Sequence, residues 1–155
     1  MMHTVYFSLG SNIGDRQENL QCAIDEIEKR IGRVVCQSDM IVTEPQGFSS
    51  SHKFLNMAIC AETTLSAMEI LDITQDIERK LGRKQKSVDG IYHDRTIDID
   101  ILLYDDSSIS STRLTIPHPR LTQRLFVLQP LAQIAPDLIV PGKKQTIAAL
   151  LARIS

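Results

Sequence analysis

Tryptophan is absent from this chain, and phenylalanine and tyrosine together make up only 5% of its 155 residues. Cysteine is also scarce, because Cys22, Cys36 and Cys60 are the only three and no two of them form a Cys-x-x-Cys pair. Such a small, odd and widely spaced set argues against a disulfide framework and against a zinc site. The shortage of aromatic side chains counts against a sheet that binds RNA by base stacking.

Long apolar runs and a strong excess of one charge are missing as well. No stretch approaches the ~18 consecutive apolar residues of a membrane-spanning helix, and residues 1–4 lack the basic region of a signal peptide. The net charge of -2 offers no basic excess for nucleic acid. We therefore expect one cytoplasmic domain over residues 1–155 that is monomeric, acts on small molecules and binds neither nucleic acid nor membrane.

What the chain does contain is an alternation of strand and helix patterns. Residues 15–32 combine a capping-box start, Asp15 followed by Glu18, with apolar residues at helical spacing, and Ser66 with Glu69 begins a second such segment that ends at Gly82. The strand patterns cover residues 5–9, 34–43, 54–62 and 96–104, with a turn at 10–15 and polar loops at 44–53 and 82–95.

The predicted order of these elements is β-α-β-β-α-β, the ferredoxin-like arrangement. The remaining segments are predicted as a short hairpin at 109–116 and helices at 123–134 and 146–154. We therefore predict an α+β fold, a ferredoxin-like sandwich with an added C-terminal hairpin and helices. Helices of this fold cover one face of the sheet, so the C-terminal segments or a ligand must cover the other.

The fourth predicted strand carries two carboxylates, Asp98 and Asp100, which its period of two places on one face. The isoleucines between and beside them point to the opposite face, toward the helices. Carboxylates roughly 7 Å apart along a strand repel each other unless a cation lies between them, and Mg²⁺ is commonly held by one or two carboxylates together with substrate phosphates. Because residues 83–95 are basic, the pattern is as consistent with a magnesium-nucleotide site as with a solvated strand face.

Short motifs in a fixed order along nearly the whole chain make it resemble the hydroxymethyl-dihydropterin pyrophosphokinase family. The most specific part is Arg95-Thr96-Ile97-Asp98-Ile99-Asp100-Ile101 followed by Leu114-Thr115-Ile116-Pro117-His118-Pro119. The other motifs are Gly10-Ser11-Asn12, Thr43-Glu44-Pro45-Gln46-Gly47, Phe54-Leu55-Asn56, Gln75 with Glu78, Gly82-Arg83, Arg124 with Phe126, and Pro130-Leu131 before Ile134-Ala135-Pro136.

The resemblance implies a role for each matching position. Asp98 and Asp100 would hold two Mg²⁺ ions on the ATP phosphates, Arg83 and Arg95 would be catalytic residues that neutralise the transferred diphosphate, and Tyr92 would add a loop contact. The nucleotide-binding positions would be Gln75, Glu78, Ile101, Arg113, Thr115, His118 and Arg124. The pterin-binding positions would be Thr43, Gln46, Phe54, Asn56 and Phe126.

The implied activity is a magnesium-dependent transfer of the ATP diphosphate to 6-hydroxymethyl-7,8-dihydropterin, with AMP as the second product, in folate biosynthesis. The rings of Phe54 and Phe126 can sandwich a flat pterin while Asn56 pairs with its polar edge. The chain departs from the family where Tyr92-His93-Asp94 replaces a frequent Trp-Gly-Pro and where Phe54 replaces a frequent tyrosine.

Two other classes of function remain open at this point. One is a ferredoxin-like module that binds RNA or a small effector, although Asp98 and Asp100 would repel phosphate without a metal. The other is a different magnesium-nucleotide enzyme, such as a nucleotidyltransferase. That enzyme would share the carboxylate pair but would release pyrophosphate, whereas diphosphate transfer releases AMP.

Overall fold

The main sheet is described by a computed structural model that covers residues 1–43, 53–82 and 96–155. Its five strands are β1 (His3–Ser11), β2 (Gly32–Gln37), β3 (Ile41–Thr43), β4 (Phe54–Thr63) and β5 (Asp98–Tyr104). The order across the sheet is β2-β4-β1-β5, and β3 pairs with β4 beyond the end of β2. Every pairing is antiparallel. The two long strands β1 and β4 therefore form the centre of the sheet.

The first face of the sheet is covered by α1 (Arg16–Arg30) and α2 (Ala67–Lys80). The Asp15 side chain accepts the Glu18 N–H at 3.1 Å, and Ser66 and Glu69 form a reciprocal capping box, so both predicted helix starts are confirmed. Alternate residues of β4 and β5 point into this core, as the strand period requires. They include Leu55, Met57, Ile59, Ala61, Ile99 and Ile101, and Ile97, just before β5, lies in the same core.

The second face is partly covered by α3 (Leu125–Ile134), which packs on β4, β3 and α4 (Ile147–Ile154). A short 3₁₀ helix at Leu121–Gln123 precedes α3, and β6 (Ile109–Ser110) pairs with β7 (Thr115–Ile116) as the expected hairpin. The second core contains residues of the sheet and of the C-terminal segments. They include Ala58, Leu102, Leu103, Leu121, Val127, Leu128, Leu131, Ile147 and Leu150. Among the described residues, no helix has the length and apolarity that crossing a bilayer requires.

The prediction of one strand over residues 34–43 was wrong, because β2 and β3 are separate. At the break, the N–H of Ser38 donates to the carbonyl oxygen of Ala58, and the N–H of Ala58 donates to Oγ of Ser38, both at 2.9 Å. The N–H of Asp39 donates to Oε1 of Gln133 on α3 at 2.7 Å. The β-branched composition of this segment indicates strand structure, but the break depends on partners elsewhere in the fold.

The predicted turn at residues 10–15 also begins too early, because Gly10 and Ser11 continue β1. A second irregularity lies in the pairing of β1 with β5, where Tyr6 pairs with Leu103 and Phe7 with Ile101. This bulge shifts the alternation of β5, and both Leu102 and Leu103 lie in the second core. The first part of β5 thus presents aspartates to the second face, and the later part presents leucines.

Candidate active site on the second face of the sheet

The central strand β1 brings residues of β4 and β5 into register across the second face. Gly10 pairs with Asn56 on one side and with Asp98 on the other. One row further along, Ser8 pairs with Asp100. Because neighbouring strands lie about 4.8 Å apart, roughly 10 Å separates the backbones of Asn56 and Asp98. A predicted pterin-binding amide and a predicted metal-binding carboxylate therefore flank a single glycine.

Gly10 leaves room for two side chains of β4. A β-carbon added to Gly10 would lie 2.6 Å from Oδ1 of Asn56 and 3.4 Å from Cδ1 of Phe54. Both side chains therefore extend over β1 on the same face, as the strand period predicted. Gly10 was expected in a turn and not at the site, although a glycine inside a strand often marks a close approach of another group.

Asn56 is held in place by a residue on the neighbouring strand. Its side chain is only 3% exposed, and its Nδ2 donates a hydrogen bond to Oγ1 of Thr43. Thr43 pairs with Phe54 in the β3–β4 register, so three of the predicted pterin-binding residues lie in one cluster. The cluster presents an amide, a hydroxyl and an aromatic ring, which suit the edge and the face of a planar heterocycle.

The backbone between Asp98 and Asp100 is fixed by Glu78 of α2. The Glu78 carboxylate accepts the N–H of Ile99 at 2.8 Å, and Glu78 is 6% exposed. Its place on the helix would by default indicate an exposed side chain, but the structure buries it beneath β5. The helix thus fixes the strand at the residue between the two half-buried aspartates.

The segment that leads into α3 contains His118 and Arg124 and binds to the strand that carries the carboxylates. The N–H of His118 donates to the carbonyl oxygen of Leu102 on β5 at 3.0 Å. Burial lowers the pKa of the His118 imidazole, the positive charge of Arg124 lowers it further, and the negative charge of Asp98 opposes the shift. The Arg124 guanidinium lies 5.3 Å from the centroid of the Phe126 ring, a cation–π contact.

The remaining predicted nucleotide positions have different environments. Arg113 donates to Asp72 at 2.7 Å and to Gln75 at 3.1 Å, so Gln75 and Arg113 are adjacent on the surface. Thr115 is exposed on β7. The Ile101 side chain is 4% exposed and lies in the first core, so a nucleotide could reach only its backbone.

The predicted residues Gln46, Arg83, Tyr92 and Arg95 lie outside the described residues, and their roles stay predictions. Within residues 1–43, 53–82 and 96–155, no cluster of three or more His, Cys, Asp and Glu side chains could hold a metal ion. In the part of the chain that the structure describes, Asp98 and Asp100 are the two carboxylates that could hold a metal ion at this site. Such a sparse oxygen donor set suits Mg²⁺ with substrate phosphates and water, and does not suit zinc.

The family model for 7,8-dihydro-6-hydroxymethylpterin-pyrophosphokinase (HPPK) matches residues 6–136 of this chain. The chain belongs to the HPPK family. This match spans β1 to the end of α3 and includes every residue of the candidate site described above. The resemblance inferred from the ordered motifs is therefore confirmed.

Relatives with this name align over most of their length. The 2-amino-4-hydroxy-6-hydroxymethyldihydropteridine pyrophosphokinase of Porphyromonas gingivalis is 49% identical over 136 residues, which cover 87% of this chain and 92% of the relative. The protein of the same name from Bacillus subtilis is 42% identical over 135 residues, which cover 86% of this chain and 79% of the relative.

Solved structures support the fold. The wild-type HPPK-DHPS of Plasmodium falciparum matches with a TM-score of 0.83 at 15% identity, over 99% of this chain and 44% of that chain. The A437G form of that protein matches with a TM-score of 0.82 at 16% identity. This chain thus spans less than half of these longer proteins, and identities this low carry the fold alone.

Proposed function

We infer that this chain catalyses the HPPK reaction, the transfer of a diphosphate from ATP to 6-hydroxymethyl-7,8-dihydropterin in folate biosynthesis. The observation that carries this proposal is the row Asn56–Gly10–Asp98, because a site for a planar polar ring and a site for a metal-bound phosphate flank one glycine. In a family member, this juxtaposition of acceptor and donor sites favours a transferase over a module that only binds.

The acceptor site is assigned to the cluster around Asn56. The amide and Thr43 would pair with the polar edge of the pterin, and Phe54 would lie against its face, with Phe126 of α3 on the opposite side. Gln46 is assigned to the same site from its place in the motif. Support comes from the Asn56–Thr43 hydrogen bond and from the position of the Phe54 ring over Gly10.

The donor site is assigned to Asp98, Asp100 and the groups beside them. The aspartates would hold two Mg²⁺ ions, which as Lewis acids would neutralise the phosphate oxygens. His118 and Arg124 would contact the nucleotide, and this assignment is supported by the hydrogen bond of His118 to β5 and by the charges of Asp98 and Arg124 that act on its imidazole. The other nucleotide-binding positions would be Gln75, Glu78, Ile101, Arg113 and Thr115.

The reaction requires the protein mainly to orient the two substrates and to stabilise negative charge on the phosphates. The hydroxyl oxygen of the pterin attacks the β-phosphorus, a new P–O bond forms, the bond between that phosphorus and the α-phosphate oxygen breaks, and AMP leaves. The hydroxyl proton passes to solvent, and no covalent intermediate with the protein is required. Arg83 and Arg95 would stabilise the charge on the transferred diphosphate, while Tyr92 would contact the substrates from its loop.

The same proposal covers the organisation of the chain. We assign it to the ferredoxin-like arrangement, supported by the antiparallel order β2-β4-β1-β5, in which α1 and α2 each connect two strands that have a third strand between them. Residues 1–155 would act as one monomeric domain in the cytoplasm. Its two cores lie on opposite faces of one sheet, which favours a single folding unit.

The test is a product assay with the purified protein, ATP, Mg²⁺ and 6-hydroxymethyl-7,8-dihydropterin. AMP and the pterin diphosphate should accumulate in equal amounts, and EDTA should stop both. The matched control is 6-methyl-7,8-dihydropterin, which lacks the attacking hydroxyl and should give no AMP. Release of pyrophosphate would indicate nucleotidyl transfer instead, and AMP formation that ignores the pterin would contradict the proposed acceptor.

A further inference from the structure

We propose that Gly10 is a positioning residue for pterin binding, because a side chain at this position would displace the Asn56 amide that lies over β1. This inference rests on the proposed acceptor site, but its structural part can be tested separately. Gly10 touches none of the reacting atoms. It acts through the Asn56 amide.

Glycine is required at position 10 because there is no room for a side chain, and not because of the backbone conformation. The described glycines with positive φ are Gly14, Gly82 and Gly142, whereas Gly10 lies in the regular strand β1 without one. The backbone of Gly10 would therefore accept an L-residue. What excludes it is the contact of an added β-carbon with Oδ1 of Asn56 at 2.6 Å, closer than real β-carbons approach such an atom.

Neither partner in this contact can move freely. Gly10 is paired with β4 on one side and with β5 on the other, so its backbone cannot withdraw from Asn56. Asn56 is 3% exposed and donates to Thr43, so turning its amide away would break that hydrogen bond in a buried setting. An alanine at position 10 would therefore displace the amide that the pterin requires.

Gly32 illustrates the opposite case within the same sheet. A β-carbon on Gly32 would lie 1.9 Å from the carbonyl oxygen of Glu62, which belongs to the backbone of β4. No side-chain rotation can relieve that clash, so Gly32 is a requirement of the fold. The clash at Gly10 involves a side chain, and removal of that side chain should relieve it. This difference makes the role of Gly10 measurable.

The experiment is a double-mutant cycle of Gly10→Ala with Asn56→Ala, followed by thermal unfolding. In the wild-type background, Gly10→Ala should lower Tm by about 4 °C or more. In the Asn56→Ala background the same change should lower it by less than about 1 °C, because the obstructing amide is gone. Equal losses in both backgrounds, or failure of both Gly10→Ala proteins to fold, would overturn the proposal.

The functional part of the proposal is tested by measuring ligand affinities. Gly10→Ala should weaken the affinity for 6-hydroxymethyl-7,8-dihydropterin by ~10-fold or more, measured in the presence of Mg²⁺ and α,β-methylene-ATP, while the affinity for the nucleotide analogue changes by less than ~2-fold. Unchanged pterin affinity would overturn the proposal. If the wild-type protein binds no pterin, the proposed function fails. The double-mutant cycle measured by thermal unfolding still decides whether Gly10 is needed for the position of the Asn56 side chain.

Gly142→Ala is the matched control for a loss of stability without displacement of Asn56. Gly142 has a φ of +83° with nothing within 4 Å of an added β-carbon, so alanine would strain the backbone without a clash. This variant should lose stability and keep its affinity for both ligands. A fall in pterin affinity equal to that of Gly10→Ala would assign the effect to general destabilisation and overturn the proposal.

Discussion

The second face of the sheet has two halves that lie on the same strands and differ in what they present. The polar half contains the row Asn56–Gly10–Asp98, and the apolar half contains the row Cys60–Tyr6–Leu103, four residues away along β1. Helix α3 packs on β4, and α4 packs on α3 and adds Ile147 and Leu150 to the second core. One face of the sheet thus contributes to the core at one end and to a polar site at the other.

The division follows from the residues that each strand supplies. In β5 the polar half receives aspartates, and a bulge then turns both Leu102 and Leu103 toward the second core. In β4 the polar half receives Asn56, and the apolar half receives the buried Cys60. If the division is real, substitutions in one half should affect activity and substitutions in the other should affect stability.

The largest effect is expected from Asp98→Asn or Asp100→Asn in the polar half. Each change keeps the shape of the side chain but removes a charged metal ligand, so turnover should fall by roughly 10²–10³-fold. The free energy of unfolding should not fall, because the like-charge repulsion between the two carboxylates is relieved. Steady-state kinetics and urea unfolding of both variants give the two measurements.

Asp106→Asn is the control for this prediction. Asp106 is exposed in the turn after β5, so its substitution should change neither turnover nor stability. Activity near the wild-type level in Asp98→Asn or Asp100→Asn would remove the polar half from the proposed metal site.

The next effect is expected in the apolar half, from Leu128→Ala. Leu128 lies on α3 and is fully buried in the second core, so the loss of its side chain should lower the free energy of unfolding by about 2–5 kcal/mol. Turnover of the folded fraction should remain within about 2-fold of the wild type. Leu125→Ala, at a residue 44% exposed on the same helix, should cost less than about 0.5 kcal/mol.

This prediction is contradicted if Leu128→Ala loses turnover while its stability is unchanged. That outcome would mean that α3 serves the site more than the core, and the two halves would not be separable.

The smallest expected effect is a loss of stability at alkaline pH, which two residues of the apolar half cause. Burial is the main cause that raises the pKa of Tyr6 from 10.0 to about 12 and that of Cys60 from 9.0 to about 11. Both groups keep their protons longer in the folded chain than in the unfolded one. Their contribution to stability is therefore complete below pH 9 and is lost as pH rises toward 12.

Tyr6→Phe removes one of the two groups, so the free energy of unfolding should fall less steeply with pH above 10. Urea unfolding of the wild type and the variant at several alkaline pH values would measure both slopes. Identical slopes would show that the Tyr6 hydroxyl is as well solvated in the folded chain as in the unfolded one.

Strand periodicity alone predicted correctly which side chains of β4 and of β5 share a face of the sheet. The alternation in β4 and β5 predicted that Asn56 would share a face with Phe54, and Asp98 with Asp100, because side-chain direction in a strand is a local property. The helix starts at Asp15 and Ser66 were also local, since a cap and its partner lie three residues apart.

The features that sequence reasoning missed depend on contacts between distant segments. Glu78 is buried because Ile99 of β5 donates to it across the sheet edge, and the break after β2 depends on Ala58 and Gln133. The role of Gly10 depends on a side chain 46 positions later in the chain. Local patterns contain no information about such partners.

The central claim is that the polar half of the second face holds the nucleotide and the pterin side by side. Its most direct test is the titration of ¹⁵N-labelled protein with Mg²⁺ and α,β-methylene-ATP and then with 6-hydroxymethyl-7,8-dihydropterin. The amide chemical shifts of Gly10, Asn56 and Asp98 should change most, and those of α4 should change little. Shifts concentrated on α4, with Gly10 and Asn56 unaffected, would contradict the account.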